Sequence, residues 1–167
     1  GASFVIVAPP AIEGELYRVL ARYQWNGLSY RYQANQIKQL FEKYNMTYIG
    51  IDATGVGLAV YENIKEFARR AATPIVYNPD SKSEMVLKVH DLVEHNLLQW
   101  DQNELDIVPS FLMIKHQSTK SGNTMTFTAE RTVKTQHADV FFAICNAINR
   151  KSLTDKPRRK GRGWRIN

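Results

Sequence analysis

Apolar residues recur along this chain with a spacing that switches from two to between three and four and back, which marks alternating strands and helices. Residues 3–8 (SFVIVA) form a β-branched run stopped by Pro9-Pro10, and residues 15–25 carry Leu16, Val19, Leu20, Tyr23 and Trp25 in rough alternation. Both read as strands, and the turn-rich PPAIEGE between them predicts an antiparallel hairpin. Ile37, Leu40, Phe41 and Tyr44 predict a helix over 32–45, followed by a strand over 47–52 that ends on Asp52. Val56, Val60, Ile64, Phe67 and Ala71 predict a helix over 56–72, and 74–77 a brief strand closed by Asn78-Pro79. Residues 82–97 are amphipathic, with Met85, Val86, Val89, Val93 and Leu97 as the buried stripe and Lys82 and Lys88 as surface residues. Residues 107–117 read as a helix starting near Pro109, 121–123 as a turn, and 124–130 as a strand alternating Thr with Met125, Phe127 and Ala129. A last helix over 137–150 has the stripe Val140, Phe141, Ile144, Cys145 and Ile148.

A hairpin feeding alternating strands and helices is α/β organisation with a mixed sheet. The 167 residues suit one domain, over 1–150, and no internal repeat is present. No apolar run approaches the ~20 residues of a membrane span, and the N-terminal GASFVIVAPP lacks the basic region of a signal peptide. One cysteine, Cys145, allows no intrachain disulfide, in keeping with a reducing compartment. The net charge of +6 is unevenly placed: seven of the 22 basic residues and one of the 16 acidic residues lie in 151–167, leaving 15 of each in the first 150. The basic character therefore belongs to a tail without apolar periodicity, expected to be disordered on its own, and not to the body.

The stretch YIGIDATGVG at 48–57 carries the candidate chemistry, because an apolar strand ends in a carboxylate followed by two glycines. A dinucleotide fingerprint needs a third glycine where Val60 stands, and a Walker loop needs Lys-Ser/Thr where Val56-Gly57 follow, so a phosphate cradle is excluded. The bland alternative makes Asp52 a strand-end residue, Thr54 the cap of the next helix and the glycines a tight turn. A metal site needs a second carboxylate, and Asp139 in His137-Ala138-Asp139 opens the last, strongly apolar helix. The bland alternative for Asp139 is a first-turn acid complementing the helix dipole. Ala143, one turn on, would let that face approach the sheet closely.

These residues, with YNPDSKSEMVLKVHDLVEHNLLQWD at 77–101, FLMIKHQSTKSGNTMTFTAERT at 111–132 and HADVFFAICNAI at 137–148, resemble the C-terminal nuclease domain of tailed-bacteriophage terminase large subunits, closest to the branch of temperate myophages. The resemblance implies an RNase H-like mixed β-sheet flanked by helices, lacking the family's first strand. It also implies a metal-dependent endonuclease that cuts double-stranded viral DNA during packaging. In the family three acidic residues bind two divalent metals, Mg²⁺ or Mn²⁺; by position Asp52 matches the second and Asp139 the third. The first lies on a strand upstream of Ser3, so whether this fragment cuts without it is an open expectation, as is weak metal binding by two carboxylates alone. Asp52 would bridge the metals, Asp139 would ligate one, and His137 would orient water or contact the phosphate.

Lys115, His116, Lys120, Arg131 and Lys134 flank the presumed site and are candidates for DNA contact; the plain alternative for each is a solvated loop residue. In the tail, Arg158, Arg159, Lys160, Arg162 and Trp164 suit either phosphate tracking or docking on another protein. The resemblance implies as partners a packaging ATPase domain on the same full-length protein, the portal or procapsid and the small terminase subunit. It implies no membrane and a location in the bacterial host cytoplasm. The rival readings are a noncatalytic DNA-binding or capsid-docking module on the same fold and, more distantly, a junction resolvase or transposase-like enzyme.

Overall fold

The computed structural model describes residues 2–104, 107–108, 114–118, 125–129 and 135–149. Strands β1 (Ala2–Ala8) and β2 (Tyr17–Trp25) form the expected antiparallel hairpin, with a register shift between Ile6 and Val7. Helix α1 (Tyr30–Lys43) starts where Ser29 accepts a hydrogen bond from the Tyr32 N–H at 3.2 Å. Strand β3 (Ile49–Asp52), helix α2 (Gly57–Lys65) and strand β4 (Ala72–Ile75) follow, and β3 and β4 pair in parallel as a βαβ unit demands.

Helix α2 stops earlier than its apolar spacing predicts. Phe67 and Ala68 donate to the Ile64 carbonyl and Ala71 to that of Ala68, so the same residues reach the core through tight turns. The turns bring Ala72 beside Ile49 and start β4 two residues ahead of expectation, with Pro74 tolerated on a strand that pairs on one side only among the described residues.

Helix α3 (Pro79–Glu94) begins three residues before the predicted start. Asn78 Oδ1 accepts from the Ser81 N–H at 2.8 Å, Ser81 Oγ accepts from the Asn78 N–H at 3.0 Å, and Pro79 takes the first helical position. A two-residue strand β5 (Leu98–Gln99) pairs in parallel with Tyr17–Arg18, too short to leave a periodic trace. Residues 114–118 overturn the helix expected over 107–117: Ile114–Ser118 is strand β6, antiparallel to β7 (Met125–Ala129), and the ladder overrides a local sequence with no clear period. The turn expected at 121–123 lies outside the described residues. Helix α4 (Thr135–Ile148) closes the order.

Two apolar cores lie on opposite faces of β1. Val5 and Val7 point to the core built by α3 and α4 (Val86, Val89, Phe141, Ile144), whereas Phe4 points to the core of α1, α2, β3 and β4 (Ile37, Ile49, Ile64). Val86, Val89, Phe141, Ile144 and Ile64 are fully buried, each stabilising the fold by about 1.5–3 kcal/mol relative to exposure. The sheet elements are thus held between helix pairs, and α4 packs on both β1 and β3.

Candidate active site

Strand β3 delivers Asp52 to its C-terminal end, where the chain turns sharply. Asp52 Oδ1 accepts from the Thr54 N–H at 2.9 Å, which fixes the carboxylate against its own turn. Gly55 takes φ +66°, a left-handed conformation costly for a side chain, and a Cβ on Gly57 would overlap the Asp52 carbonyl oxygen. The glycines therefore make the turn behind Asp52. Thr54 does not cap α2: the N-cap position is Val56, with no side-chain capping bond.

Helix α4 brings Asp139 to the same place. Asp52 and Asp139 line one cleft of about 440 Å³, with Trp25, Tyr30, Phe142 and Asn146 among its walls. Asp139 is half-buried, and burial pushes its carboxyl above the ordinary carboxylate range. The close approach of α4 to β3 depends on Gly50, where a Cβ would meet the Asn146 carbonyl oxygen at 2.5 Å. Tyr77, beyond the end of β4, hydrogen-bonds through its hydroxyl to Asn146 Oδ1. Burial, then the neighbouring Cys145 and Asp52, raise the Tyr77 hydroxyl pKa, so it stays protonated beside the site.

Gly50, Tyr77 and Asn146 escaped the sequence reading. Asn146 had a signal: it is a polar residue seven positions after Asp139, on the same face of an apolar helix. Lys82, read as a surface residue, is half-buried, with Nζ 4.8 Å from the ring centroid of Phe142 in the cleft wall. His137 lies in the first turn of α4 and Lys115 and His116 on β6, but their side chains fall outside what is described. Lys120, Arg131, Lys134 and the tail residues Arg158, Arg159, Lys160, Arg162 and Trp164 lie outside the described residues. Among the described residues no three His, Cys, Asp or Glu side chains group as a metal site, so Asp52 and Asp139 stand as a pair.

A second cavity of about 620 Å³ opens between β1 and β3, floored by Ala143, Asn146 and Ala147 of α4. Among the described residues β1 pairs only with β2, and β3 only with β4, so two strand edges face each other across it. The cleft takes Ala2–Phe4 and Gly50–Asp52, whereas the far end of the groove takes Pro9, Pro10 and Tyr44–Thr47. The two strands therefore run in opposite senses, and the groove leads into the cleft.

This architecture is that of phage large-terminase nucleases. It superposes with a TM-score of 0.64 on the large terminase nuclease of thermophilic phage G20c with bound cobalt, at 19% identity, covering 87% of this chain and 80% of that one. The magnesium-bound structure of that nuclease gives a TM-score of 0.63 at 19% identity, with 87% and 79% covered. The sequence carries the assignment further: residues 1–151 match the family described as Terminase RNaseH-like domain, and the chain belongs to it. It is 80% identical over 166 residues to the "Probable terminase, ATPase subunit" of Haemophilus phage HP1 (strain HP1c1), covering 99% of this chain and 27% of that protein. It is 40% identical over 153 residues to the "Terminase, ATPase subunit" of Escherichia phage P2, covering 92% and 26%. The chain thus spans about a quarter of the length of these curated relatives.

Proposed function

We propose that this chain is a divalent-metal-dependent endonuclease domain that hydrolyses phosphodiesters of double-stranded viral DNA during genome packaging. The observation that carries the reading is that Asp52, at the end of β3, and Asp139, in the second turn of α4, line one cleft of an RNase H-like fold. Carboxylate oxygens suit Mg²⁺ or Mn²⁺, and the raised pKa of Asp139 marks a desolvated acid whose charged form a cation would favour. Asp52 and Asp139 would hold the ions, and the nuclease of phage G20c, solved with magnesium and with cobalt, supports the use of divalent metal. Two bound ions would supply a polarised phosphate and a water activated for attack. The chain's own part is positional: the Thr54 N–H orients Asp52, Gly50 lets α4 bring Asp139 close, and the Tyr77–Asn146 hydrogen bond braces β4 against α4.

The groove between β1 and β3 is bounded by two strand edges, and it would take an extended strand running antiparallel to β1 and parallel to β3. In the longer protein we assign it to residues preceding this sequence, which would bring a third acidic side chain to the Asp52 end. The packaging ATPase belongs to the remaining length, as the relatives' names support. DNA, the portal or procapsid and the small terminase subunit are the partners of this reading, and the host cytoplasm is where it operates. No helix among the described residues is long and apolar enough to cross a membrane.

The test is nicking of supercoiled plasmid by the full-length protein with Mg²⁺ or Mn²⁺. Asp52→Asn and Asp139→Asn are expected to abolish it; nicking that survives both removes the assignment. A noncatalytic DNA-binding module is the second reading, favoured by the presence of only two grouped carboxylates among the described residues. Tight DNA binding by the full-length protein without metal-dependent nicking would decide for it.

A further inference from the structure

Lys82 has no assigned part in the reading above, yet its place is unusual. Helix α3 starts just after β4, whose Ile75 is the ladder partner of Asp52, so the first turns of α3 stand at the same sheet end as the carboxylates. From there the Lys82 ammonium lies 4.8 Å from the centroid of Phe142. Phe142 is three residues after Asp139, on the same face of α4, and lines the cleft with it. Lys82 makes no ion pair among the described residues. The start of a helix disfavours a cation, so helix stability does not explain the lysine either.

We propose that Lys82 holds a non-bridging phosphate oxygen of the DNA strand seated in the Asp52–Asp139 cleft, with the Phe142 ring supporting its aliphatic stem. The proposal rests on the nuclease reading and deepens it: the ligand is a phosphodiester of nucleic acid, gripped by the Lys82 ammonium beside the wall residue Phe142 and by ions that the carboxylates would hold. Lys82 is thus the substrate-binding cation of the described residues, and the lysine can be exchanged for arginine but not for a neutral side chain.

The experiment uses the full-length protein, a short DNA duplex and Ca²⁺ in place of Mg²⁺, with affinity measured by fluorescence anisotropy across a salt series. Lys82→Gln is expected to weaken binding about tenfold and to lower the slope of log affinity against log salt by about 0.9, the loss of one phosphate contact. Lys82→Arg should keep both. Phe142→Leu retains the ammonium and should keep the slope. An unchanged slope and affinity in Lys82→Gln overturn the proposal, as does wild-type protein without measurable DNA affinity. An affinity loss in Lys82→Gln at unchanged slope also overturns it, because lost packing alone produces that. Nicking by Asp139→Asn is scored in parallel: its survival overturns the nuclease reading, while the slope still decides for or against Lys82.

Discussion

Replacing Gly50 by alanine tests whether the helix-to-sheet distance controls the site. A Cβ at this position in β3 would lie 2.5 Å from the Asn146 carbonyl oxygen, 2.7 Å from the Tyr48 hydroxyl and 3.0 Å from Ile75 Cδ1. The tyrosine and isoleucine atoms end side chains and can swing. The Asn146 oxygen is main chain of α4, and restoring an ordinary contact near 3.5 Å requires the helix to retreat by about 1 Å. Overpacking of this kind costs about 1–3 kcal/mol, partly offset by the ~0.5–1 kcal/mol that alanine gains over glycine in a strand. The net loss, up to about 2.5 kcal/mol, corresponds to a fall in Tm of up to roughly 10 °C for a chain of this size. The functional loss should be larger, because Asp139 rides on α4, and a displacement of about 1 Å costs on the order of 100-fold in rate. Thermal unfolding and Mn²⁺-dependent plasmid nicking read the two effects. Gly14→Ala is the control: its φ of +89° predicts strain, but a Cβ there meets nothing within 4 Å and activity should persist. If Gly50→Ala melts and nicks like the wild type, the account of α4 docking through a glycine contact is wrong.

Other outcomes follow from the same geometry. Burial raises the Asp139 pKa in the folded chain, so the folded state binds its proton more tightly than the unfolded state. The penalty is absent below the ordinary carboxylate range and grows as pH rises through the raised folded pKa. Asp139→Asn should therefore be more stable than the wild type at neutral pH and lose that advantage near pH 3, as measured by urea midpoints. Mn²⁺ should raise the Tm of the wild type and not of Asp139→Asn, and equal responses would contradict a metal-holding role. Asn78→Ala removes one half of the capping box and should cost about 1 kcal/mol, checked by denaturant titration. Gly55→Ala, at φ +66°, should destabilise by about 1 kcal/mol, and its nicking rate tells whether the Asp52 turn tolerates strain.

The stripe of α3 and the apolar face of α4 were legible because burial on one face leaves a period in the sequence, and β1 because a strand with apolar cores on both faces reads as a continuous β-branched run. Asp52 and Asp139 were nameable as a pair because each is a carboxylate beside an apolar run, Asp52 ending β3 and Asp139 preceding the stripe of α4, which starts at Thr135 and so places Asp139 beyond its first turn. Spacing says nothing about approach distance, so Gly50 looked like any strand glycine until the Asn146 carbonyl was found above it. Lys82 was hidden for a related reason: its helical position is peripheral on the α3 wheel, and only α4 supplies the Phe142 ring it lies against. Ile114–Ser118 escaped because its strand state comes from the ladder with Met125–Ala129 and not from its own residues.

On the proposed reading, the order of the two acids along the chain sets when the domain becomes able to cut DNA. Asp52 lies early and Asp139 on the last helix described, and α4 must settle across β1 and β3 before the carboxylates share a cleft. A ribosome-bound chain carries Asp52 without Asp139 while the residues between them are made. On the proposed reading, DNA-cutting capacity therefore arrives only once α4 has been made and docked, and a nascent chain that stops short of α4 holds one carboxylate of the pair without the other.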